Sequence, residues 1–179
     1  MASVDSTGHH HLRIRRTGLN WYSAVLAFFG MLTREKKMRG ICLCGTVEFE
    51  IAGEVPRLYQ CHCSLCRKQS GSTSNSSLLI KSENFRWLRG EDRISSYVKE
   101  SGFRSDFCSR CGSPVPNPLR RTSYFWVPSG LLDGSTPLTV GVHVCVGSKA
   151  SWDVIPEGGV QFEHLPPDLE AFLACLSPR

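Results

Sequence analysis

The sequence predicts a mainly β domain built of antiparallel sheets, with a short helix near the carboxy terminus. Short segments in which apolar and polar residues alternate are bounded by glycine, proline and Asp-Gly turns, as in β-rich folds. The best helix candidate is residues 166–176, where Leu169, Phe172, Leu173 and Leu176 recur at helical spacing. Seven of the nine cysteines fall in three tight clusters, and metal cross-links of this kind help to stabilise a sheet assembly of this size.

The strand candidates follow one another from residue 45 onward. Residues 45–53 place Val47, Phe49 and Ile51 on one face and polar residues on the other, which predicts a half-buried strand. An extended segment over residues 56–63 then leads into the central cysteine cluster. Further strands or short turn elements are predicted at residues 77–82, 84–92, 93–101, 124–135 and 138–148.

The first 37 residues differ from the rest in charge and in pattern. Residues 1–39 contain seven basic and two acidic residues and so hold the whole net charge of +5. Residues 19–32 are apolar and follow a basic run, as in a signal peptide, but no small-residue cleavage site follows. The run is also shorter than the roughly 20 residues that span a bilayer, and it has no clean polar face. We expect residues 1–37 to be an extension outside the fold (a leader, tag or misassigned start) and residues 38–179 to form one domain.

The balance of charge and the cysteine spacing limit the expected partners and compartment. A neutral body has no overall positive field to attract a phosphate backbone, so nucleic acid is not an expected partner. A membrane is not expected either, because the apolar run at residues 19–32 is short and has no clean polar face. Cysteine pairs separated by one or two residues are typical of zinc sites, whereas disulfide frameworks belong to smaller secreted domains. Zinc thiolates imply a reducing compartment, and the cytoplasm is therefore the expected location.

Two outer clusters, Cys42 with Cys44 and Cys108 with Cys111, predict one closed zinc site. Alternate residues of an extended strand face the same way, so Cys42 and Cys44 can point their sulfurs at one metal. Residues 108–114 resemble a zinc knuckle, in which Gly112 lets the turn close. Four thiolates complete a tetrahedral zinc, which indicates a structural role.

The central cluster offers three cysteines, Cys61, Cys63 and Cys66, and so predicts a second zinc with an open fourth position. A turn after Cys63 would bring the three sulfurs together. His62 would point away from its cysteine neighbours if the segment is extended, so we do not expect it to be the fourth ligand. A redox pair formed by Cys63 and Cys66 is the competing interpretation, but it lacks the βαβ context and leaves Cys61 without a role.

Several nearby residues admit two interpretations. Arg67 and Lys68 follow the central cluster. They either bind a carboxylate-bearing substrate or offset the negative charge of a three-thiolate zinc, or they are solvated surface residues. His143 lies on a predicted apolar strand, where a structural role is favoured over a catalytic one. Cys145 follows Val144 and is expected to face outward if Val144 and Val146 face inward.

These motifs resemble the glutathione-dependent formaldehyde-activating enzyme family, also called the centromere protein V family. The resemblance rests on "RGICLCGTVEFEI", on "CHCSLCRKQSG", which is the most specific element, and on "FRSDFCSRCGSPV". It extends from Met38 to Pro167 and has no counterpart in residues 1–37. The chain departs from the family pattern at residues 72–77, "STSNSS", where relatives often have apolar or aromatic residues.

The resemblance implies an Mss4-like, β-tent arrangement of antiparallel sheets with two zinc ions per chain. It implies a structural zinc on the outer clusters and a second zinc on Cys61, Cys63 and Cys66, where glutathione chemistry is proposed. The implied activity is of the carbon–sulfur lyase type, forming S-(hydroxymethyl)glutathione reversibly from glutathione and formaldehyde. The alternative is a non-catalytic scaffold or interaction protein in which both zinc ions are structural.

Overall fold

Three β-sheets and two helices make up the part of the chain that the computed structural model describes, residues 36–134 and 137–178. The strands within these residues are β1 (Lys37–Ile41), β2 (Glu48–Ala52), β3 (Leu58–Cys61), β4 (Asn75–Lys81), β5 (Phe85–Arg89), β6 (Ile94–Val98), β7 (Arg104–Cys108), β8 (Pro114–Val115), β9 (Asn117–Pro118), β10 (Tyr124–Pro128), β11 (Val140–Val144) and β12 (Val160–Phe162). The helices are α1 (Ser64–Ser70) and α2 (Leu169–Leu176). This architecture confirms the predicted mainly β class with a short carboxy-terminal helix.

The predicted extension, residues 1–37, lies outside the described residues apart from Lys36 and Lys37. Lys37 is the first residue of β1, one position before the predicted start of the domain. Within the described ranges, neither helix is long and apolar enough to cross a bilayer.

The largest sheet has six strands in the order β12-β11-β3-β4-β10-β9 and carries the central cysteine cluster at the end of β3. The pairs of β4 with β3 and β10, and of β10 with β9, are antiparallel, as predicted. β11 instead runs parallel to both β3 and β12, with Val144 opposite Cys61. Alternation shows which face of a strand is buried but not which way its neighbour runs, so the sequence did not reveal this pairing. The ends of β3 and β11 consequently meet at one edge.

The alternation predicted for residues 45–53 holds for the apolar face of β2, the central strand of the sheet β1-β2-β5, whereas Glu50 on the polar face is also buried and pairs with Lys37 and Arg86. Val47, Phe49 and Ile51 are completely buried. The Phe49 ring stacks on Phe85 of β5 with a centroid distance of 5.5 Å. Stacking of this kind adds to the free energy of burial, so this sheet provides a rigid base for the turn that follows β1.

The third sheet, β6-β7-β8, carries the second half of the outer cysteine cluster. Cys108 ends β7 and lies opposite Ile94 of β6. The sequence did not predict β7, because a buried acid interrupts its apolar pattern: Asp106 is 3% exposed. Arg104 compensates by donating to both carboxylate oxygens of Asp106 at 2.8 Å.

The two helices begin at side-chain caps. Asp168 accepts hydrogen bonds from the N–H groups of Glu170 and Ala171, so α2 begins at Leu169, three residues after the start of the predicted segment 166–176. Residues 64–70 form α1 where the sequence predicted only a turn, and α1 ends at Gly71, whose φ is 67°. α2 buries Phe172 against the core cluster that also contains Cys61.

Candidate metal centres

Four cysteines from two distant segments bring their sulfur atoms within 4.8 Å of one another and are called the first cluster. Cys42 and Cys44 lie between β1 and β2, Cys108 ends β7, and Cys111 lies in the turn before β8. The sulfur of Cys44 is 3.6 Å from that of Cys42 and 3.8 Å from that of Cys108. Sulfurs placed tetrahedrally about 2.3 Å from zinc are separated by about 3.8 Å. The first cluster therefore has the dimensions of a closed four-sulfur site.

A tight turn aims the sulfurs of Cys108 and Cys111 at this site. The N–H of Gly112 donates to the carbonyl of Cys108 at 2.8 Å, and Gly112 has a φ of 75°, which costs glycine little. The N–H of Leu43 donates to the hydroxyl of Ser113 at 3.1 Å. This bond joins the two halves of the cluster across 70 residues. The turn has the form that the sequence predicts for residues 108–114.

Local hydrogen bonds and burial shift the pKa values of the first-cluster thiols in different directions. Bonds from the side chain and backbone of Ser113 lower the pKa of Cys111 to about 6. A hydrogen bond with Thr46 likewise lowers the pKa of Cys44. Burial raises the pKa of Cys108 to about 11. A cation bound here would displace the remaining protons, so its binding depends on pH.

Three cysteines around the start of α1 form the second cluster, with all three sulfur atoms within 4.8 Å of one another. Cys61 ends β3, Cys63 is the residue that caps α1, and Cys66 lies in the first turn of the helix. The Cys63 sulfur accepts a hydrogen bond from the N–H of Cys66 at 3.5 Å. The first turn of α1 therefore brings the sulfur of Cys66 back to those of Cys61 and Cys63. The sequence had predicted a simple turn after Cys63 rather than a helix.

The thiols of the second cluster bind protons very unequally. Hydrogen bonds from Cys61 and then Cys66 lower the pKa of Cys63 to about 2, and the N–H groups of Cys66 and Leu65 act in the same direction. Cys61 is the opposite case, because its bonds to Cys63 and Cys66 and its burial raise its pKa far above the usual range. The bond with Cys61 lowers the pKa of Cys66, but the bond to Cys63 and burial outweigh it and leave the pKa at about 12. These opposite shifts favour loss of the proton from Cys63 before Cys61 or Cys66.

A buried hydrogen-bonded chain of His62, Asp153 and His143 lies beside the second cluster. Nδ1 of His62 is 2.6 Å from Oδ2 of Asp153, and Nε2 of His62 is 3.1 Å from Nδ1 of His143. Because a carboxylate only accepts, Nδ1 of His62 donates to Asp153. All three side chains are at most 5% exposed. His62 therefore turns its ring away from the cysteines on either side of it, as its place on an extended segment predicts.

The sequence did not identify Asp153 as part of this site. Asp153 lies 91 residues after His62 in a segment between β11 and β12 with no motif of its own. His143 was expected to be structural, and it is buried on β11 with its ring 5.3 Å from that of His62. Burial and the neighbouring His62 lower the pKa of His143. Only the parallel pairing of β11 with β3 brings these residues together.

The two basic residues after the second cluster have different surroundings. Arg67 is half-buried, and its Nη1 donates to the carbonyls of His62, at 2.9 Å, and of Ser148. Arg67 thus joins the start of α1 to the segment after β11. Lys68 is exposed. Both line a pocket of about 310 Å³ along α1, whose lining residues are Ser64, Arg67, Lys68, Gly71, Ser72 and Trp152.

Cys145 is buried, although strand alternation suggested that it would face outward. Its φ of 59° and ψ of 36° place it in the left-handed region, so the alternation of β11 ends at Val144. Val144 and Cys145 are both buried in the core cluster that contains Cys61. Cys175 on α2 is half-buried and packs against the same core cluster.

Both clusters could hold a metal ion. All nine cysteines are free thiols, and the sulfur atoms within each cluster are close enough to share one cation. An all-sulfur donor set selects soft or borderline cations such as zinc and disfavours magnesium and calcium. The residues present therefore fit the zinc that the motifs imply, as four donors at the first cluster and three at the second.

Comparison with known proteins agrees with this assignment. A family model described as glutathione-dependent formaldehyde-activating enzyme matches residues 37–148. A Halomonas elongata protein provisionally named for the same enzyme is 33% identical over 84 residues, which are 44% of this chain and 54% of that protein. The chain thus spans about half the length of the curated relative it matches. A crystal structure of a Rhodobacter sphaeroides protein is 26% identical with a TM-score of 0.45, over 56% of this chain and 92% of that one.

The family match covers more than half of the chain and includes all seven clustered cysteines. The same seven residues form the two sulfur clusters of the structure. The protein therefore belongs to the glutathione-dependent formaldehyde-activating enzyme family.

Proposed function

We propose that this protein is a zinc-dependent enzyme of the carbon–sulfur lyase type that joins glutathione reversibly to an aldehyde. The reaction with formaldehyde would give S-(hydroxymethyl)glutathione. The observation that carries the proposal is the sulfur count of the second cluster. Its three sulfurs lie within 4.8 Å of one another, one fewer than the four donors of a closed tetrahedral zinc site.

The chemistry requires a thiol sulfur that is kept deprotonated near an aldehyde carbon. Zinc held by Cys61, Cys63 and Cys66 would supply a coordination position at which the glutathione sulfur is a thiolate at neutral pH. One S–C bond forms as the sulfur electron pair enters the carbonyl carbon and the C=O π pair moves to oxygen. The proton lost by the thiol ends on that oxygen, so atoms and charge balance without an oxidant or reductant.

The residues along α1 are suited to an anionic thiol substrate. Lys68 is exposed on the pocket and can attract a glutathione carboxylate, while the Trp152 side chain on the same pocket offers an apolar surface. Arg67 donates to two backbone carbonyls and so holds the start of α1 in place. Its charge also offsets the net negative charge that three thiolates would leave on a bound zinc. We infer a cytoplasmic location, since zinc thiolates persist in a reducing compartment.

The proposal is tested by measuring how fast formaldehyde and glutathione equilibrate, using two-dimensional exchange NMR on the zinc-loaded full chain. We expect the wild-type protein to raise the exchange rate above that of the protein-free mixture. Cys66→Ser should return it to the protein-free rate, and Cys175→Ser, which leaves both clusters intact, should behave as wild type. A wild-type rate equal to the protein-free control would overturn the lyase assignment and favour a scaffold with two structural zinc ions.

A further inference from the structure

The buried thiol of Cys145 lies beside the second cluster but belongs to neither predicted metal site. Cys145 is 9% exposed and directly follows β11, whose last residue, Val144, is opposite Cys61 in the parallel register. Because parallel strands end at the same edge of a sheet, Cys145 lies at the edge that carries the second cluster. Its left-handed backbone turns the side chain into the core rather than continuing the alternation of the strand.

Cys145 packs in the same part of the core as the second cluster. Cys145 and Cys61 belong to one buried core cluster, and Cys63 and Cys66 both pack against it. The Cys145 sulfur is nevertheless not among the three that lie within 4.8 Å of one another. It is therefore adjacent to the ligand set without having joined it in this arrangement.

We propose that Cys145 supplies the fourth sulfur of the second site when no substrate is bound, and that an entering thiol displaces it. The inference rests on the proposed function, because it takes the second cluster to hold zinc. A zinc site prefers four donors, and Cys145 is a buried thiol in the same core cluster as Cys61 that could complete the set. With zinc bound, the Cys145 sulfur would leave the metal as the entering sulfur binds it. The proton of the entering thiol would pass to Cys145, which would leave the charge of the site unchanged.

The sulfur count of each site can be measured with cadmium-113 as the probe, because its NMR shift separates four-sulfur from three-sulfur coordination. The full chain is loaded with two equivalents of cadmium-113 in a thiol-free buffer, in which a phosphine keeps the cysteines reduced. We expect two wild-type resonances, both in the four-sulfur range. Cys66→Ser assigns the resonance of the second site. Cys145→Ser should move that resonance alone into the three-sulfur range, and added glutathione should return it.

Cys175→Ser is the matched control, because Cys175 is the other unclustered thiol and packs against the same core cluster; it should change neither resonance. A wild-type second-site resonance already in the three-sulfur range, and unmoved by Cys145→Ser, would overturn the inference and leave the proposed function intact. A wild-type protein that binds a single cadmium would overturn both. If Cys145→Ser does not fold, the wild-type and Cys175→Ser spectra still decide, because the position of the second resonance reports its sulfur count.

Discussion

The imidazole of His62 donates a 2.6 Å hydrogen bond from Nδ1 to Oδ2 of Asp153 inside the protein, although 91 residues separate the two. His62 is 2% exposed and Asp153 is 5% exposed, so both depend on this bond to satisfy their polar atoms. His62 stands between two members of the second cluster. The hydrogen bond that fixes its ring therefore also helps to fix the backbone that carries Cys61 and Cys63. We regard His62 and Asp153 as positioning residues.

We predict that Asp153→Ala selectively weakens the second cluster. Leaving Nδ1 of His62 without an acceptor should lower the free energy of unfolding by about 1–3 kcal/mol. It should also lower the zinc affinity of the second cluster by at most about tenfold, because His62 lies between two ligands without being one, and should leave that of the first unchanged. Competition with a chelator measures both affinities, and denaturant titration measures stability.

Two further variants separate positioning from a general loss of stability. Asp153→Asn should retain most of the unfolding free energy and of the zinc affinity of the second cluster, because its amide oxygen can still accept from His62. Glu157 is an exposed residue near Asp153 in the chain, so Glu157→Ala should change neither the stability nor the zinc affinity. An equal loss of affinity at both clusters in Asp153→Ala would contradict the positioning role.

The adjacent basic residues should give opposite phenotypes. Arg67→Ala removes the side chain that donates to the carbonyls of His62 and Ser148 and should lower the free energy of unfolding by about 1–3 kcal/mol. Lys68→Ala should leave stability unchanged but raise the KM for glutathione about two- to fivefold, since an exposed ion pair is worth about 0.5–1 kcal/mol. Denaturant titration and steady-state kinetics distinguish them. A KM for Lys68→Ala equal to that of wild type would remove Lys68 from the substrate site.

Serine substitutions in the two clusters should differ in their effect on the fold. Cys111→Ser opens the site that joins the β1–β2 turn to β7, and structural zinc sites supply about 10–16 kcal/mol in small domains. We expect this variant to lose cooperative unfolding. Cys66→Ser should keep its far-ultraviolet circular dichroism and one tightly bound zinc while losing activity. Loss of the fold in Cys66→Ser, with Cys175→Ser folded, would show that the second cluster is also structural.

Glu50 should contribute a stability that disappears in acid. Its carboxylate, 7% exposed, accepts from Lys37 at 3.1 Å and Arg86 at 2.9 Å. The hydrogen bond with Lys37 is the largest cause that lowers the pKa of Glu50 below its usual 4.5. The unfolded chain therefore binds this proton more readily than the folded one, so the stabilisation is complete above pH 4.5 and is lost as the pH falls through the lowered value.

The pH dependence is measured by comparing wild type with Glu50→Gln, because zinc release in acid affects both proteins alike. The difference in unfolding free energy should be largest at neutral pH and should shrink as the pH falls below 4.5. Glu83→Gln is a suitable control, since Glu83 is 72% exposed and pairs loosely with Lys81 at 3.7 Å. A difference that does not change with pH would show that Glu50 acts through packing rather than through its charge.

Much of the fold and the membership of both clusters could be predicted from the sequence, because the signals are local. The alternation of Val47, Phe49 and Ile51 and the spacing of Leu169, Phe172 and Leu176 are set by the geometry of a strand and a helix. Cysteines one to three residues apart must lie near one another in space whatever surrounds them. The two outer pairs could be assigned to one site because four thiolates complete the tetrahedral coordination of a zinc ion.

What the sequence by itself determined was therefore the β class, the helix near the carboxy terminus and the seven clustered thiols. Only the tertiary structure decided what surrounds them. The parallel pairing of β11 with β3 carries His143 and Cys145 to the second cluster, and a segment without a motif delivers Asp153 to His62. The sequence left open whether Arg67 is a solvated surface charge, and the structure shows it donating to the carbonyls of His62 and of Ser148, which lies 81 residues away. The physical reason is that spacing constrains neighbours along the chain, whereas contacts across a sheet depend on strand direction, which a pattern of alternating residues does not encode.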